Sequence, residues 1–144
     1  MDEFRLQRFV EAQDGGHIYA EALRELRSGR KRSHWMWFVF PQIAGLGRSE
    51  QARRFAISGL AEAKAYLAHP VLGPRLRDCS RLLVQLPTTD AISVFGGTDA
   101  TKLRSSMTLF AEAAPHEQVF HEVLEQFFSG EPDVATTNAL AATT

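Results

Sequence analysis

The sequence has one cysteine, Cys79, so no internal disulfide can hold it together and the framework of a small disulfide-rich secreted protein is excluded. A solitary thiol points to the cytosol. Charge of one sign is lacking too: 16 Lys and Arg against 17 Asp and Glu leave a formal net charge of -1. That balance removes any general electrostatic pull toward nucleic acid or an anionic membrane and argues against both as partners. Long apolar runs are missing, since the longest, Trp35 to Pro41, falls far short of the ~20 residues that cross a bilayer. The first residues, Met1 to Arg5, carry no basic stretch followed by an apolar run, so no secretory signal is expected. Metal-ligand spacing is absent: among His17, His34, His69, His116 and His121 only the last two are close, on different faces of a helix, and neither HExxH nor CxxC occurs. No metal and no cofactor is expected. The GxSxG elbow and the GxxxxGK[ST] phosphate loop are missing as well.

What is present is the composition of a globular protein, 144 residues with 44% apolar and 23% charged, enough to bury a core as one domain over 1–144. Helical spacing recurs along most of it. Phe4, Leu6, Phe9, Val10 and Gln13 follow a candidate cap at Asp2 and stop at Asp14-Gly15-Gly16. Ile18, Tyr19, Ala22, Leu23 and Leu26 form a second stripe stopped by Gly29, with Glu21, Arg24, Glu25 and Arg27 as its solvated outer face. Ser49 and Ser58 are candidate caps of two further helices, the first carrying Phe55 and Ile57, the second ending at His69-Pro70. The longest stripe, Val71 to Leu86, is expected to be central to the core, with Cys79 an inert thiol on it. Asp90 restarts a short helix with Ile92, Val94 and Phe95, Thr98-Asp99 caps the next one with Leu103, Met107 and Phe110, and Val119 to Phe127 make another. The residues after about 133 read as a peripheral tail, frayed at Ala141 to Thr144.

Only Trp35-Met36-Trp37-Phe38-Val39-Phe40 has strand-like composition. A lone strand has no partner for its backbone, so a short buried helix capped by Ser33 is favoured. The fold expected is all-α, a compact orthogonal multi-helical domain of about seven or eight short helices.

Two segments concentrate chemistry. Arg30, Lys31, Arg32, Ser33 and His34 put cations and an imidazole beside the aromatic run, a fit for an anion such as a phosphate, with Trp35 or Trp37 offering a stacking face. Farther on, Gly96-Gly97 lead into Asp99, Lys102, Arg104, Ser105, Ser106 and Thr108. These residues suggest a pocket between the two segments for an anionic small molecule, a nucleotide or an ADP-ribose-like compound. Arg30, Lys31, Arg32, His34, Trp35, Trp37, Lys102, Arg104, Ser105 and Ser106 are the candidate ligand-binding residues, and His34, Asp99 and Lys102 the candidates for moving a proton in an enzyme version. Glu62, Asp78, Asp90 and Asp133 are further acid–base groups with no partner assignable. The alternatives are that the hydroxyls bond back to helix carbonyls, that the tryptophans are core, or that exposed aromatics anchor a protein partner.

Lys31 through Gln42 with Gly45-Leu46-Gly47, then Ala65-Tyr66-Leu67, His69-Pro70, Phe95-Gly96, Asp99, Lys102-Leu103 and Ser105 through Phe110, closely resemble the domain-of-unknown-function family 1810, bacterial proteins some of which are labelled calpastatin. The resemblance implies an all-helical fold and a cytosolic, bacterial-type protein. Calpastatins are disordered inhibitors, whereas this chain has the pattern of a packed domain. The family tends to show a Thr-Leu pair after the aspartate where this chain reads Asp133-Val134-Ala135, which leaves the role of that segment open. A looser similarity, in the aromatic, Lys and Met pattern, is to the superfamily acting on ADP-ribose and related N-glycosides.

Overall fold

The computed structural model describes residues 2–142. Ten α-helical segments succeed one another: α1 (Gln7–Asp14), α2 (Ile18–Ser28), α3 (Met36–Val39), α4 (Glu50–Arg54), α5 (Leu60–Ala68), α6 (Leu72–Val84), α7 (Ala91–Phe95), α8 (Gly97–Ala113), α9 (Gln118–Phe128) and α10 (Val134–Ala142). The all-α expectation holds, and the count exceeds seven or eight because α3, α4 and α7 are pieces of only one turn or so. Among the described residues the one β-like feature is a parallel bridge between Ile43 and Ile57. The aromatic segment is the short buried helix expected of it, α3 taking Met36–Val39 with Trp35 and Phe40 as its end residues, and the chain reaches the bridge only beyond it, at Ile43. No helix of the described residues is long and apolar enough to cross a membrane.

α8 lies at the centre, with α5, α7, α9 and α10 packed on it, while α2, α5 and α9 pack on α6. The longest apolar stripe thus forms one wall of the core and not its axis. Trp35, Phe9, Phe40, Tyr66, Phe110 and Phe120 are fully buried, and tilted or edge-on pairs such as Phe9 with Tyr66 and Phe40 with Phe95 join them into one apolar cluster. Cys79 lies inside it, its thiol pushed up to about 12 by burial, which keeps it protonated and unreactive.

Local signals set most helix ends. Gly29 closes α2 in the left-handed region at φ 76°, where only glycine is unstrained. Ser49 Oγ accepts from the Ala52 N–H and the Asp90 carboxylate from the Ile92 N–H, as N-caps do. The Asp2 carboxylate accepts from the N–H groups of Leu6 and Gln7 just before α1. Three expected caps fail. Ser33 Oγ donates to Glu25, and α3 begins three residues later without a side-chain cap. Ser58 donates through both N–H and Oγ to Glu62, leaving Gly59 at the start of α5. Thr98 and Asp99 sit inside the first turn of α8, which starts at Gly97. Phe55 and Ile57 lie beyond α4, in its C-terminal cap and in the bridge. The segment after Asp133 is helical and buries Thr136 and Leu140; Thr143 and Thr144 lie outside the described residues.

Glu25 is the other departure, since a residue expected on a solvated face is 8% exposed. Its carboxylate accepts from the Arg32 N–H (2.8 Å), the Ser33 N–H (2.9 Å), Ser33 Oγ and the indole N–H of Trp35 (2.9 Å). Burial pushes the carboxyl up, but these donors outweigh it and hold the group down at about 2. A folded value below the unfolded one means that the stabilisation is present above the unfolded value of 4.5 and is lost as the pH falls through about 2. Glu25→Gln, which removes the charge and leaves one acceptor oxygen in place of two, should cost about 2–4 kcal/mol at neutral pH. In urea titrations at stepped pH the gap between variant and wild type should shrink from about pH 5 down to about pH 2. A gap that stays constant over that range would show that the carboxylate charge is not what fastens the segment.

Candidate functional site

The Glu25 clamp fixes the course of the chain beyond it. With Trp35 pinned by its indole N–H, the ring is fully buried against Phe40 and Phe95 and is core, not pocket wall. Trp37, two residues on, comes out half-buried on another side of the segment. The backbone N–H of Lys31 donates to the Val94 carbonyl (2.7 Å), tying the turn to α7. Its ammonium donates to the Ser33 carbonyl, lies 5.1 Å from the centre of the Trp35 ring and pairs with Asp99 at 2.8 Å. With its side chain 7% exposed, Lys31 is a buried strut between the turn and α8.

Asp99 has a second partner. Lys102 Nζ stands 3.5 Å from its other oxygen and 4.7 Å from the centre of the Trp37 ring. Two lysines thus share one carboxylate, each over one of the two tryptophans that flank Met36. Cations over indole faces are attracted by the ring quadrupole, which holds Lys102 where a pocket is expected.

A cleft of about 450 Å³ opens there. Trp37, Gln42, Leu46, Gly47, Arg48, Ser49 and Ala52 line it together with Thr98, Thr101 and Lys102 of α8. Gly47 allows the loop to pack this closely, since a Cβ there would stand 2.5 Å from that of Ala52. No acidic side chain lines the cleft among the described residues. Thr98 belongs to the first turn of α8, so the start of a seventeen-residue helix contributes to the lining.

The structure brings two of the candidate residues, Trp37 and Lys102, to the cleft, with Lys31 and Trp35 as buried supports behind them, and places the others elsewhere. Arg30, Arg32 and His34 are exposed on the turn and do not line the cleft. Arg104 points to another hollow, of about 280 Å³, where it donates to the Glu131 carbonyl (3.0 Å) and lies over Phe128. Ser105 is buried and donates to the Thr101 carbonyl and to Asp133, both at 3.2 Å. Thr108 donates to the Arg104 carbonyl and accepts from the Asp133 N–H. These hydroxyls therefore secure Asp133, whose carboxylate also accepts from the N–H and Oγ of Thr136, and with it the start of α10. Ser106 is fully buried with no hydrogen-bond partner for its hydroxyl.

Among the acid–base candidates, Glu62 is buried in an ion pair with Arg8 at 2.9 Å, Asp78 pairs with Arg81, and Asp90 is a cap. Of His34, Asp99 and Lys102, only Lys102 lines the cleft. Arg48 is a lining residue that sequence reasoning missed. It stands in a glycine-punctuated loop, and nothing local says that the loop folds onto the start of α8. Among the described residues no group of three or more His, Cys, Asp or Glu is placed to hold a metal ion.

A family model described as "Protein of unknown function (DUF1810)" matches residues 3–140. Among solved structures, a conserved hypothetical protein of Mycobacterium tuberculosis, Rv1873, is similar at 49% identity over 96% of this chain and 97% of its own, with a TM-score of 0.92. No curated protein matches.

The two tryptophans should respond differently to truncation. Trp35→Ala removes a fully buried ring and leaves Glu25 short of a donor, and should cost about 3–5 kcal/mol. Trp37→Ala should cost less than about 2 kcal/mol and keep the native circular dichroism spectrum. Thermal melts of the two variants compare them directly, and equal losses would contradict the assignment of one ring to the core and the other to the cleft.

Proposed function

We propose, for a chain that belongs to the DUF1810 family, that the cleft between Trp37 and the start of α8 binds a small anionic molecule carrying a planar group, of the nucleotide or ADP-ribose-like kind. The observation that carries this reading is Lys102, held 4.7 Å from the centre of a half-buried indole at the wall of a cavity without acidic lining. A cation, an aromatic surface and a concave site converge there, and each has a use for such a ligand. Lys102 and Arg48 pair with the anion, Trp37 and Leu46 cover the ring, and Ser49, Thr98, Thr101 and Gln42 offer neutral hydrogen bonds. The volume falls within the ~300–1,000 Å³ of small-molecule sites.

Binding is favoured over catalysis, because two of the three acid–base candidates lie outside the cleft. It is favoured over a protein-docking role as well, because Trp35, half of the aromatic anchor that role requires, is buried.

A thermal-shift screen with nucleotides, ADP-ribose and sugar phosphates tests the reading. A ligand at a hundred times its dissociation constant adds about 2.7 kcal/mol of stability, which for a chain of this size raises the melting temperature by several degrees. Lys102→Ala and Trp37→Ala should abolish or greatly reduce that rise. If no compound stabilises the wild type, or if the rise is unchanged in both variants, the cleft is not a binding site.

A further inference from the structure

We infer that the anionic group this cleft takes is the dianionic phosphate of a monoester carried on a single planar ring system, the chemistry of a nucleoside monophosphate; the inference rests on the binding role proposed for the same cleft. The charges at the site that are already compensated decide it. Asp99 is held at 2.8 Å by Lys31, whose ammonium is buried, bonded to the Ser33 carbonyl and covered by the Trp35 ring. That pair neutralises itself whether or not a ligand is present. Lys102 reaches the same carboxylate only at 3.5 Å, and its other neighbour is the Trp37 ring. It can therefore turn to a ligand and leave Asp99 paired. Asp99 acts as a positioning residue, keeping Lys102 at the cleft wall without cancelling its charge.

The Lys31, Asp99 and Lys102 cluster thus presents one net positive charge to the cavity, and Arg48 adds a second from the loop that also lines it. Glu50, the acidic residue nearest to Arg48 in the chain, belongs to the first turn of α4, whose dipole it complements, and does not line the cleft. Two uncompensated cations match a group with two negative charges. A phosphate monoester carries nearly two at neutral pH, whereas a carboxylate or a phosphodiester carries one. Arg48 brings a planar fork suited to two phosphate oxygens and Lys102 a point charge for a third. Trp37 is the one aromatic side chain among the described lining residues, and the volume of about 450 Å³ lies low in the range for small-molecule sites, which suits one ring system and one charged group.

Isothermal titration of the whole chain tests this. The probes are adenosine, guanosine, cytidine and uridine monophosphates, the phosphate methyl ester of the tightest of them, its parent nucleoside, inorganic phosphate and ADP-ribose. At least one monophosphate should bind, and its methyl ester, one charge poorer, about tenfold or more weakly. The nucleoside and inorganic phosphate should each bind more weakly than the monophosphate. Arg48→Gln and Lys102→Gln, both at partly or fully exposed positions and checked for native circular dichroism, should each weaken the monophosphate about tenfold and its methyl ester less. A methyl ester as tight as the monophosphate, inorganic phosphate as tight as the monophosphate, or ADP-ribose tighter than every monophosphate would overturn the dianion inference and leave the anion-binding reading in place. If no probe binds, or if the tightest binds both variants as tightly as it binds the wild type, both fall.

Discussion

The carboxylate of Glu25 is the constraint on which the rest of this molecule turns. A buried carboxylate is costly unless its oxygens are fully engaged, and here the donors come from one short stretch, Arg32 to Trp35. The last turn of α2 is thereby fastened to the segment after it, and the orientation of that segment is set by hydrogen bonds as well as by apolar packing. Trp35 is drawn into the core by its indole N–H, and Lys31 is placed beside Val94 and Asp99. Because side chains two residues apart point to different sides of a short helix, fixing Trp35 inward sends Trp37 toward the start of α8. The cleft is a consequence of that chain of placements.

The elements that could be read from the sequence are those decided within a few residues. Apolar stripes at helical spacing mark α2, α6 and α9, and Gly29, Pro70 and the cap residues Ser49 and Asp90 mark their limits or those of their neighbours. The readings that fail concern polar side chains with two possible partners. Ser33 and Ser58 have the chemistry of caps, yet Glu25 and Glu62 each take both the N–H and the Oγ–H of one of them, which holds the serine at a buried carboxylate ahead of the helix start. Glu25 itself reads as part of a solvated face because its neighbours Arg24 and Arg27 are charged. A turn seven to ten residues later buries it, and no helical periodicity reports such a contact. The aromatic run folds as the short helix α3, and the one bridge, from Ile43 to Ile57, forms only after it has ended.

The candidate site was legible to a similar extent. Trp37 and Lys102 both stand out on chemistry alone, and they do meet. The hydroxyl run on α8 is also odd for good reason, though the reason is structural: Ser105 and Thr108 hold Asp133, and Asp133 seats α10. Arg48 was invisible because its importance lies in where a loop rests in space. A loop with two glycines reads as a spacer, and only the close approach of Gly47 to Ala52 turns it into part of the lining of a cavity.

Net charge, which argues against nucleic acid and an anionic membrane as partners, is the wrong quantity at the scale of a small ligand. Ions in physiological salt screen exposed charges beyond about 8 Å, so a ligand in the cleft responds to the groups that line it and hardly to a total of -1 spread over the molecule. Within that range stand Asp99, committed to a buried lysine, and Glu50, in the first turn of α4 and outside the lining. Several other carboxylates are likewise taken up: Glu25 by the turn, Glu62 by Arg8 and Ser58, Glu117 by Arg77, Asp133 by α10. A chain can be neutral overall and locally cationic when its acids are used for construction and two of its bases are not. Here those bases, Lys102 and Arg48, line one cleft with one indole, and that local imbalance, more than any property of the whole sequence, defines what the cleft can hold.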